Sequence, residues 1–577
     1  MKIVDAIAEI LKREGVEFLS AYPTTSVIDA TAAVGIRSVL CRQERVGVGI
    51  ADGFTRITNG RRPGVFAMQY GPGAENAFAG VATAYSDSTP ILLLPLGHQR
   101  DRAQVFPLFS SARTYASVTK SVETLNQPDQ VSEVMRRAFN LLKNGRPGPV
   151  MVEIPADVAV AEVGDSALTY KPVKTSTSAG NARDVEAALR VLLAARRPVI
   201  HAGQGVLYAA ATAELVELAE LLQIPVMTTL EGKSAFPEDH PLALGVGSGT
   251  MPRPVYAFLK DADVLLGVGC SFTKHGMATN IPAGKTIIHA TNDERDLNKN
   301  YYTEHPILGD ARLVLRQFID AARDALGAGK RRESTAADEI KRVRTEWLAE
   351  WMPKLGSDQT PITPYRVIWD FMRTIDARDA IVTHDSGSPR EQLVPFYRAT
   401  APRSYMGWGK SHALGTGLGR SRHRGQAGGA RQVLRELHGR RGLRHDRPRL
   451  RDRRALRDPD HHDRAQQLRD GHRAPRARGL ARPLSDPRHR RQLRRPRPRH
   501  GRLQRARREA GGRRPRARAR PEDQRGRPCR PAGVHHQRGD RVLTSASVLN
   551  ALGRGGRACG RDAAGASPRG RCSGQTR

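Results

Sequence analysis

From Met1 to Gly419 short apolar runs alternate with amphipathic stretches. The opening segment MKIVDAIAEILKREG sets Ile3, Ile7, Ile10 and Leu11 on one helical stripe, and Gly15 supplies a stop signal. Acidic residues interrupt the stripe, so it reads as neither a secretion signal nor a membrane span. Gly64 to Met68, Ile91 to Leu96 and Val150 to Ile154 are apolar runs of strand length. Between them, Glu75 to Ser86 and Gln130 to Leu142 carry helical spacing. Strands that lack polar alternation and are separated by helices predict parallel sheets covered by helices, an α/β fold.

The alternation recurs twice more. Ala161 to Arg183 is polar and reads as a linker. A second unit opens at Arg197-Pro198 with the strand-like PVIHAGQGV. It continues through a helix at Leu215 to Leu222 and strands at Ile224 to Thr229 and Val264 to Val268, with Thr286 to Ala290 as its expected last strand. A charged helical linker, Lys330 to Trp351, precedes a third unit. That unit has a helix at Pro364 to Ile375, a strand at Ala380 to Thr383 and a turn at Asp385-Ser386-Gly387-Ser388. At about 150 residues per domain this length predicts three domains. Their expected bounds are 1–160, 183–328 and 360–419, the last being cut short.

Two motifs carry candidate chemistry. Cys41 to Arg56 reads CRQERVGVGIADGFTR, where Glu44 heads a helix whose Gly47, Gly49, Ala51 and Gly53 permit close packing. Tyr70 to Asn76 reads YGPGAEN, a tight strand-to-helix turn whose helix N-terminus could present free N–H groups to a ligand. Alone, each fits an ordinary surface carboxylate or an ordinary turn. In this order and spacing they are far more specific. Arg42, Glu44, Ala51, Gly53 and Arg56, followed by Gly71-Pro72-Gly73 and Asn76, resemble the N-terminal pyrimidine-binding domain of thiamine-diphosphate enzymes of the acetolactate synthase group. PVIHAGQGV, IPVMTTLEGKSAFPEDHPLALG and DADVLLGVGCSF resemble that group's central domain. ITPYRVIWDFM, AIVTHDSG and GWGKSHALGTGLG resemble the start of its diphosphate-binding domain.

The resemblance implies a three-domain enzyme using thiamine diphosphate and Mg2+ to decarboxylate a 2-oxo acid, with carboligation or simple decarboxylation (as in benzoylformate or pyruvate decarboxylase) as the outcome. In such enzymes the cofactor supplies the electron sink and the protein supplies position and electrostatics. Glu44 is then the catalytic carboxylate bonded to a pyrimidine nitrogen. Pro23, Thr24, Gly71, Pro72, Gly73, Asn76, Asp385, Ser386, Gly387, Ser388 and Leu414 fall at cofactor-binding positions. Gln104 and Phe106 lie near the substrate-facing Phe-Gln region, although the local order departs from the acetolactate synthase pattern. His98, Lys120 and His240 read as structural. Some relatives bind FAD, which no motif here decides. The resemblance also implies a homodimer or a dimer of dimers. With only Cys41 and Cys270 before residue 420, neither a disulfide framework nor a zinc cluster is expected, and the cytoplasm is the expected compartment.

Charge divides the chain at Gly419. Residues 420–577 hold 47 Arg against 13 Asp plus Glu and have no Lys, Ile, Met, Phe, Tyr or Trp. Subtraction from the totals of 94 basic and 58 acidic residues leaves 47 against 45 for the first 419. The net charge of +36 therefore belongs to the tail. Scattered Arg without stacking aromatics or a core-forming apolar set predicts disorder and incidental polyanion binding. The rival readings are an enzyme head fused to a nucleic-acid-binding tail, and a catalytically dead head with a polyanion-binding basic tail.

The acetolactate synthase group holds magnesium with Gly-Asp-Gly or Gly-Asp-Ala followed by Asn-Asn, hard oxygen ligands for a hard cation. Neither occurs after Gly419, so no metal ligand is assigned. If each tail codon lends its second and third bases to the start of the next, Arg431 to Arg441 can be re-read to end in Gly-Asp-Ala. Asp458 to Gln467 can likewise be re-read to end in Asn-Asn. The tail is thus expected to be an out-of-frame translation of the third domain. Sequencing the gene tests this: an open alternative frame encoding both motifs is expected, and early stops in that frame would sink the idea.

Overall fold

The computed structural model describes residues 1–22, 24–164, 169–327, 332–408, 410 and 433–437. Leu414 and Pro23 lie outside them.

The first layer runs α1 (Ile3–Arg13), β1 (Phe18–Ala21), α2 (Thr25–Ala33), β2 (Arg37–Leu40), α3 (Glu44–Ile57), β3 (Gly64–Met68), α4 (Pro72–Ser86), β4 (Ile91–Gly97), α5 (Ser111–Tyr115), β5 (Ser121–Thr124), α6 (Val131–Lys143), β6 (Val150–Pro155) and α7 (Ala156–Ala159). Its six strands are parallel, in the order β2-β1-β3-β4-β6-β5. The apolar runs become buried strands because both faces are covered. On one side Ile3, Ile7, Leu11 and Phe139 pack over Leu92 and Val152. On the other, Val48, Ala51 and Ala77 pack over Phe66 and Leu93. The small residues of α3 allow this close approach: a Cβ on Gly47 would stand 2.1 Å from the Phe66 ring.

The second layer runs α8 (Ala182–Ala194), β7 (Val199–Ala202), α9 (Gln204–Tyr208), α10 (Thr212–Leu222), β8 (Val226–Thr228), β9 (Ala243–Val246), α11 (Arg253–Asp261), β10 (Val264–Val268), β11 (Thr286–Thr291), β12 (His305–Leu308) and α12 (Ala311–Leu326). Its order is β12-β11-β10-β7-β8-β9, again parallel. The expectation that Thr286 to Ala290 ends this sheet is corrected. His305–Leu308 pairs outside β11, but with alternating exposure at the edge it lacks the continuous apolar run that marks a central strand.

The third layer has α13 (Ala336–Leu355), α14 (Pro364–Thr374), β13 (Ala380–His384), α15 (Ser388–Leu393), β14 (Tyr405–Met406) and β15 (Val433–Leu437). The helix expected from Lys330 to Trp351 forms as α13, but it packs into two cores where a linker was expected. Ile340 of α13 joins the middle core, and Trp347 and Leu355 join the third. Strand β15 falls inside the arginine-rich region and pairs in parallel with β13, opposite β14. The regional composition hid it, because in VLREL the apolar Val433, Leu434 and Leu437 are interrupted by Arg435 and Glu436 within a polar surrounding.

A buried ion network joins the layers. Arg56 on α3 donates from Nε to Asp52 at 2.7 Å, from Nη2 to Asp87 at 3.0 Å, and from Nη1 to the Gly407 carbonyl at 3.4 Å. Its guanidinium lies 5.5 Å from the centre of the Trp408 ring, and Gln204 donates to the Asp87 carbonyl at 3.2 Å. Burial opposes the charge on Arg56, yet Asp52 and Asp87 more than offset it and hold its pKa above the ordinary value. Replacing one member of such a buried set strands the others, at roughly 3–5 kcal/mol. Arg56→Ala is therefore expected to lose stability on that scale in urea unfolding, and a loss under about 1 kcal/mol would show the network to be incidental.

Candidate functional site

In an open parallel sheet ligands bind beyond the carboxyl ends of the strands, where the winding reverses. In the first sheet that point lies between β1 and β3: the chain leaves β1 for β2 on one side and returns through α3 to β3 on the other. Thr24 follows β1 there and caps α2. Its hydroxyl is buried and has no hydrogen-bond partner among the described residues. The Gly71 turn follows β3, and Gly71 takes φ +57, a left-handed backbone that favours glycine. Pro72 then occupies the first turn of α4, where its missing N–H costs nothing.

Glu44 heads α3 facing this turn, with a relative exposure of 3%. A Cβ on Gly73 would lie 3.6 Å from its Oε1, and Asn76 hydrogen-bonds its carboxylate. Burial raises the Glu44 pKa, and the bonds from its own N–H and from Asn76 offset this in part. The fold thus gathers Glu44 at the start of α3 with Gly73 and Asn76 in the first turns of α4. Such a carboxylate, buried against a glycine turn and held by an amide, is suited to hold a proton at a heterocyclic nitrogen.

One neighbour escaped sequence reading. Tyr115, fully buried on α5, donates to the Ala74 carbonyl at 2.5 Å. Burial, and then the charge of Glu44, raise its pKa. Nothing in SARTYASV marks it, because its position depends on how α5 folds back over α4.

Other candidate residues lie elsewhere. Asp385, Ser386, Gly387 and Ser388 follow β13 on the third sheet, with the Ser386 N–H donating to Asp385 Oδ1 at 2.8 Å and Gly387 at φ +79. Gln104 is exposed and accepts from Arg113, and Phe106 is 93% exposed, so neither is gathered around Glu44 within this chain. His98 packs on the Tyr70 ring at 4.7 Å. Lys120 donates to the carbonyls of Leu141 at 2.6 Å and Asn144 at 2.7 Å, closing the end of α6, with burial taking its pKa down to about 8. His240 pairs with Glu220 at 3.2 Å inside the middle layer. A cavity over the middle sheet, at the carboxyl ends of β7 and β10, is lined by His201, Glu231, Gly205, Gly269 and Thr279 among others. Among the described residues no three His, Cys, Asp or Glu side chains converge as a metal site.

The sequence profile of the thiamine pyrophosphate enzyme N-terminal TPP binding domain matches residues 1–127, and that of the central domain matches residues 185–318. A probable acetolactate synthase large subunit of Methanocaldococcus jannaschii is 32% identical over 441 residues, 72% of each chain. The chain belongs to the thiamine pyrophosphate enzyme family, and acetolactate synthases are among its relatives. The large subunit of Escherichia coli acetolactate synthase isozyme 3 is 30% identical, covering 72% of this chain and 73% of its own. A glyoxylate carboligase of Escherichia coli O157:H7 is also 30% identical, covering 72% and 71%. Membership of this enzyme family implies thiamine diphosphate as cofactor.

Because the native state holds the Glu44 proton longer than the unfolded chain does, this group's contribution to stability is full below its ordinary value of 4.5 and declines as pH rises through the raised value. Glu44→Gln is therefore expected to gain on the parent in melting temperature between about pH 4 and pH 8. A gap between the two that stays constant with pH would contradict the raised pKa.

Proposed function

We propose that this chain carries the head of a thiamine diphosphate-dependent enzyme that decarboxylates 2-oxo acids and joins the product to a second carbonyl, as acetolactate synthases do. The observation that carries the proposal is the buried Glu44 carboxylate, set against Gly73 and Asn76 at the reversal point of the first sheet. The crevice fits the heteroaromatic half of the cofactor. It offers a carboxylate for a ring nitrogen, an unpartnered Thr24 hydroxyl, and a glycine turn open enough for close backbone approach. When bound, thiamine diphosphate supplies a nucleophilic carbon and an electron sink.

The protein's part is to hold and release one proton. Glu44 would share its proton with the ring nitrogen, and burial, by raising its pKa above the ordinary carboxylate value, favours the protonated form that this needs. Asn76 keeps the carboxylate in one orientation, and the walls around it keep water out. Asp385 to Ser388 would approach the diphosphate, and Leu414 would support the bent cofactor, though it lies outside the described residues. Gln104 and Phe106 would reach substrate only from an exposed loop, which suits a site shared between subunits of a homodimer. No helix of the described residues is long and apolar enough to cross a membrane, and we place the chain in the cytoplasm.

The magnesium half does not fit. Residues 420–577 contain neither Gly-Asp-Gly, Gly-Asp-Ala nor Asn-Asn, so no step is assigned to the metal and turnover by this chain should be impaired. The aligned share of 72% is about what residues 1–419 make of the 577, in keeping with a relationship that ends near Gly419. Carboligation is favoured over simple decarboxylation because synthases and a carboligase stand among the relatives.

Product analysis on a panel of 2-oxo acids, with the 577-residue chain beside a frame-restored one, tests the proposal. The restored chain is expected to form carbon–carbon bonded products and the present chain almost none. Robust magnesium-dependent turnover of pyruvate by the present chain would refute impairment, and aldehyde alone from the restored chain would make it a decarboxylase. Sequence-dependent nucleic-acid binding lost on deleting 420–577 would favour a functional tail instead.

A further inference from the structure

A second buried carboxylate lies two strands from the first site. Glu153 on β6 has a relative exposure of 8%, in a strand otherwise made of Val, Met, Ile and Pro. Burial raises its pKa, with Ser111, the Ala112 N–H and His98 acting in the opposite direction. An apolar side chain would cost less there, so its polar contacts need an explanation. Ser111 Oγ donates to its Oε2 at 3.0 Å. On the adjacent strand, a Cβ on Gly97 would stand 2.8 Å from its Oε1, so room is left for the carboxylate by the absence of a side chain.

Both polar contacts fall on the first two residues of α5. That helix has five residues, so Ser111 and Tyr115 are four apart and share one face. Both are buried. At the far end the Tyr115 hydroxyl holds the Ala74 carbonyl, and its ring meets Phe78 of α4 edge-on at 5.5 Å. Ala74 adjoins Gly73, which abuts Glu44. One rigid helical turn therefore links β6 to the backbone that carries the candidate site.

We infer that Glu153 is a positioning residue for the Glu44 site: it anchors the start of α5 through Ser111 and Ala112, so that Tyr115 presses the Gly71–Asn76 turn against Glu44. The inference rests on the proposed role of Glu44, but its test reads the turn itself and needs no cofactor.

The experiment is amide hydrogen exchange by mass spectrometry on the full-length chain. Ser111→Ala removes one hydrogen bond and should speed exchange over residues 71–77 about threefold to tenfold, the factor one neutral hydrogen bond is worth. Tyr115→Phe should do the same, and the double variant should exchange no faster than the faster single one, because both break one linkage. Glu153→Ala should match them, and Glu153→Gln, which keeps an acceptor for Ser111, should restore most of the protection. If Glu153→Ala does not fold, the two milder variants and their double decide. Faster exchange confined to 109–115, additive effects, or an equal rise across the middle sheet would overturn the inference. Absence of thiamine diphosphate binding in the parent would count against the role of Glu44 and leave this result untouched.

Discussion

The structure depends on one guanidinium being fully paired away from water. Arg56 lies where α3, the end of α4, the loop after β14 and the start of α9 converge, and each element contributes one contact of its environment. A buried charge tolerates little loss of its partners. The three layers are thereby constrained to one arrangement, more tightly than apolar contact, which accepts many registers, would demand. Arg403 reinforces the junction from the third layer: its side chain donates to Asn59, and it stacks over Tyr208 at 4.9 Å. Burial takes the Arg403 pKa down to about 10. The motif that reaches from Arg42 to Arg56 thus has two jobs on one helix. Glu44 at its start would serve the proposed cofactor site, and Arg56 at its end ties that part of the first layer to the rest of the chain.

This division explains what the sequence disclosed. Continuous apolar runs such as Gly64–Met68 and Val264–Val268 mark central parallel strands because both faces are covered, and their bounds could be read to the residue. Edge strands carry no such mark. His305–Leu308 exposes alternate residues, and Ala243–Val246 holds Gly245 at φ +109, so neither stands out from a loop. Helix α13 is rich in charge, yet it buries Ile340 and Trp347 at wide spacing, and a charged exposed face outweighed them in the pattern. The site was legible where it is local: Glu44 and Gly71–Asn76 are compact motifs. Tyr115 and Glu153 were not, because their relation to Glu44 arises from contacts across 41 and 42 residues of chain that no spacing rule records.

The two sheets place their crevices by the same rule. In each, winding reverses beside the first strand, and glycines stand where the chain must pass close to what lies above. In the middle layer a Cβ on Gly203 would come within 2.2 Å of the Gly269 carbonyl, which holds β7 and β10 together beneath the cavity. His201 lines that cavity, with neither ring nitrogen partnered among the described residues and burial lowering its pKa to about 4. A neutral imidazole there can donate and accept hydrogen bonds without adding charge. That imidazole shares the cavity with charged side chains, Glu231 paired with Lys410 at 3.4 Å among them, whereas at the first site burial raises the pKa of the Glu44 carboxylate.

The third layer shows why a change of language at Gly419 spares so much. Its β13 is flanked by β14 from the chain before the break and by β15 from the chain after it. Val433–Leu437 falls within Arg431 to Arg441, which the alternative frame re-reads as a strand-like segment ending in Gly-Asp-Ala. A shift by one base exchanges side chains but leaves every residue a backbone N–H and C=O, proline aside, and strand pairing draws on those groups. Pairing can therefore survive where side-chain chemistry cannot. The metal site requires particular oxygen donors at particular positions and has no such tolerance. The first two layers and Glu44 lie before the break, so on the proposed shift of frame the ligands for the cation would be lost while the carboxylate stays.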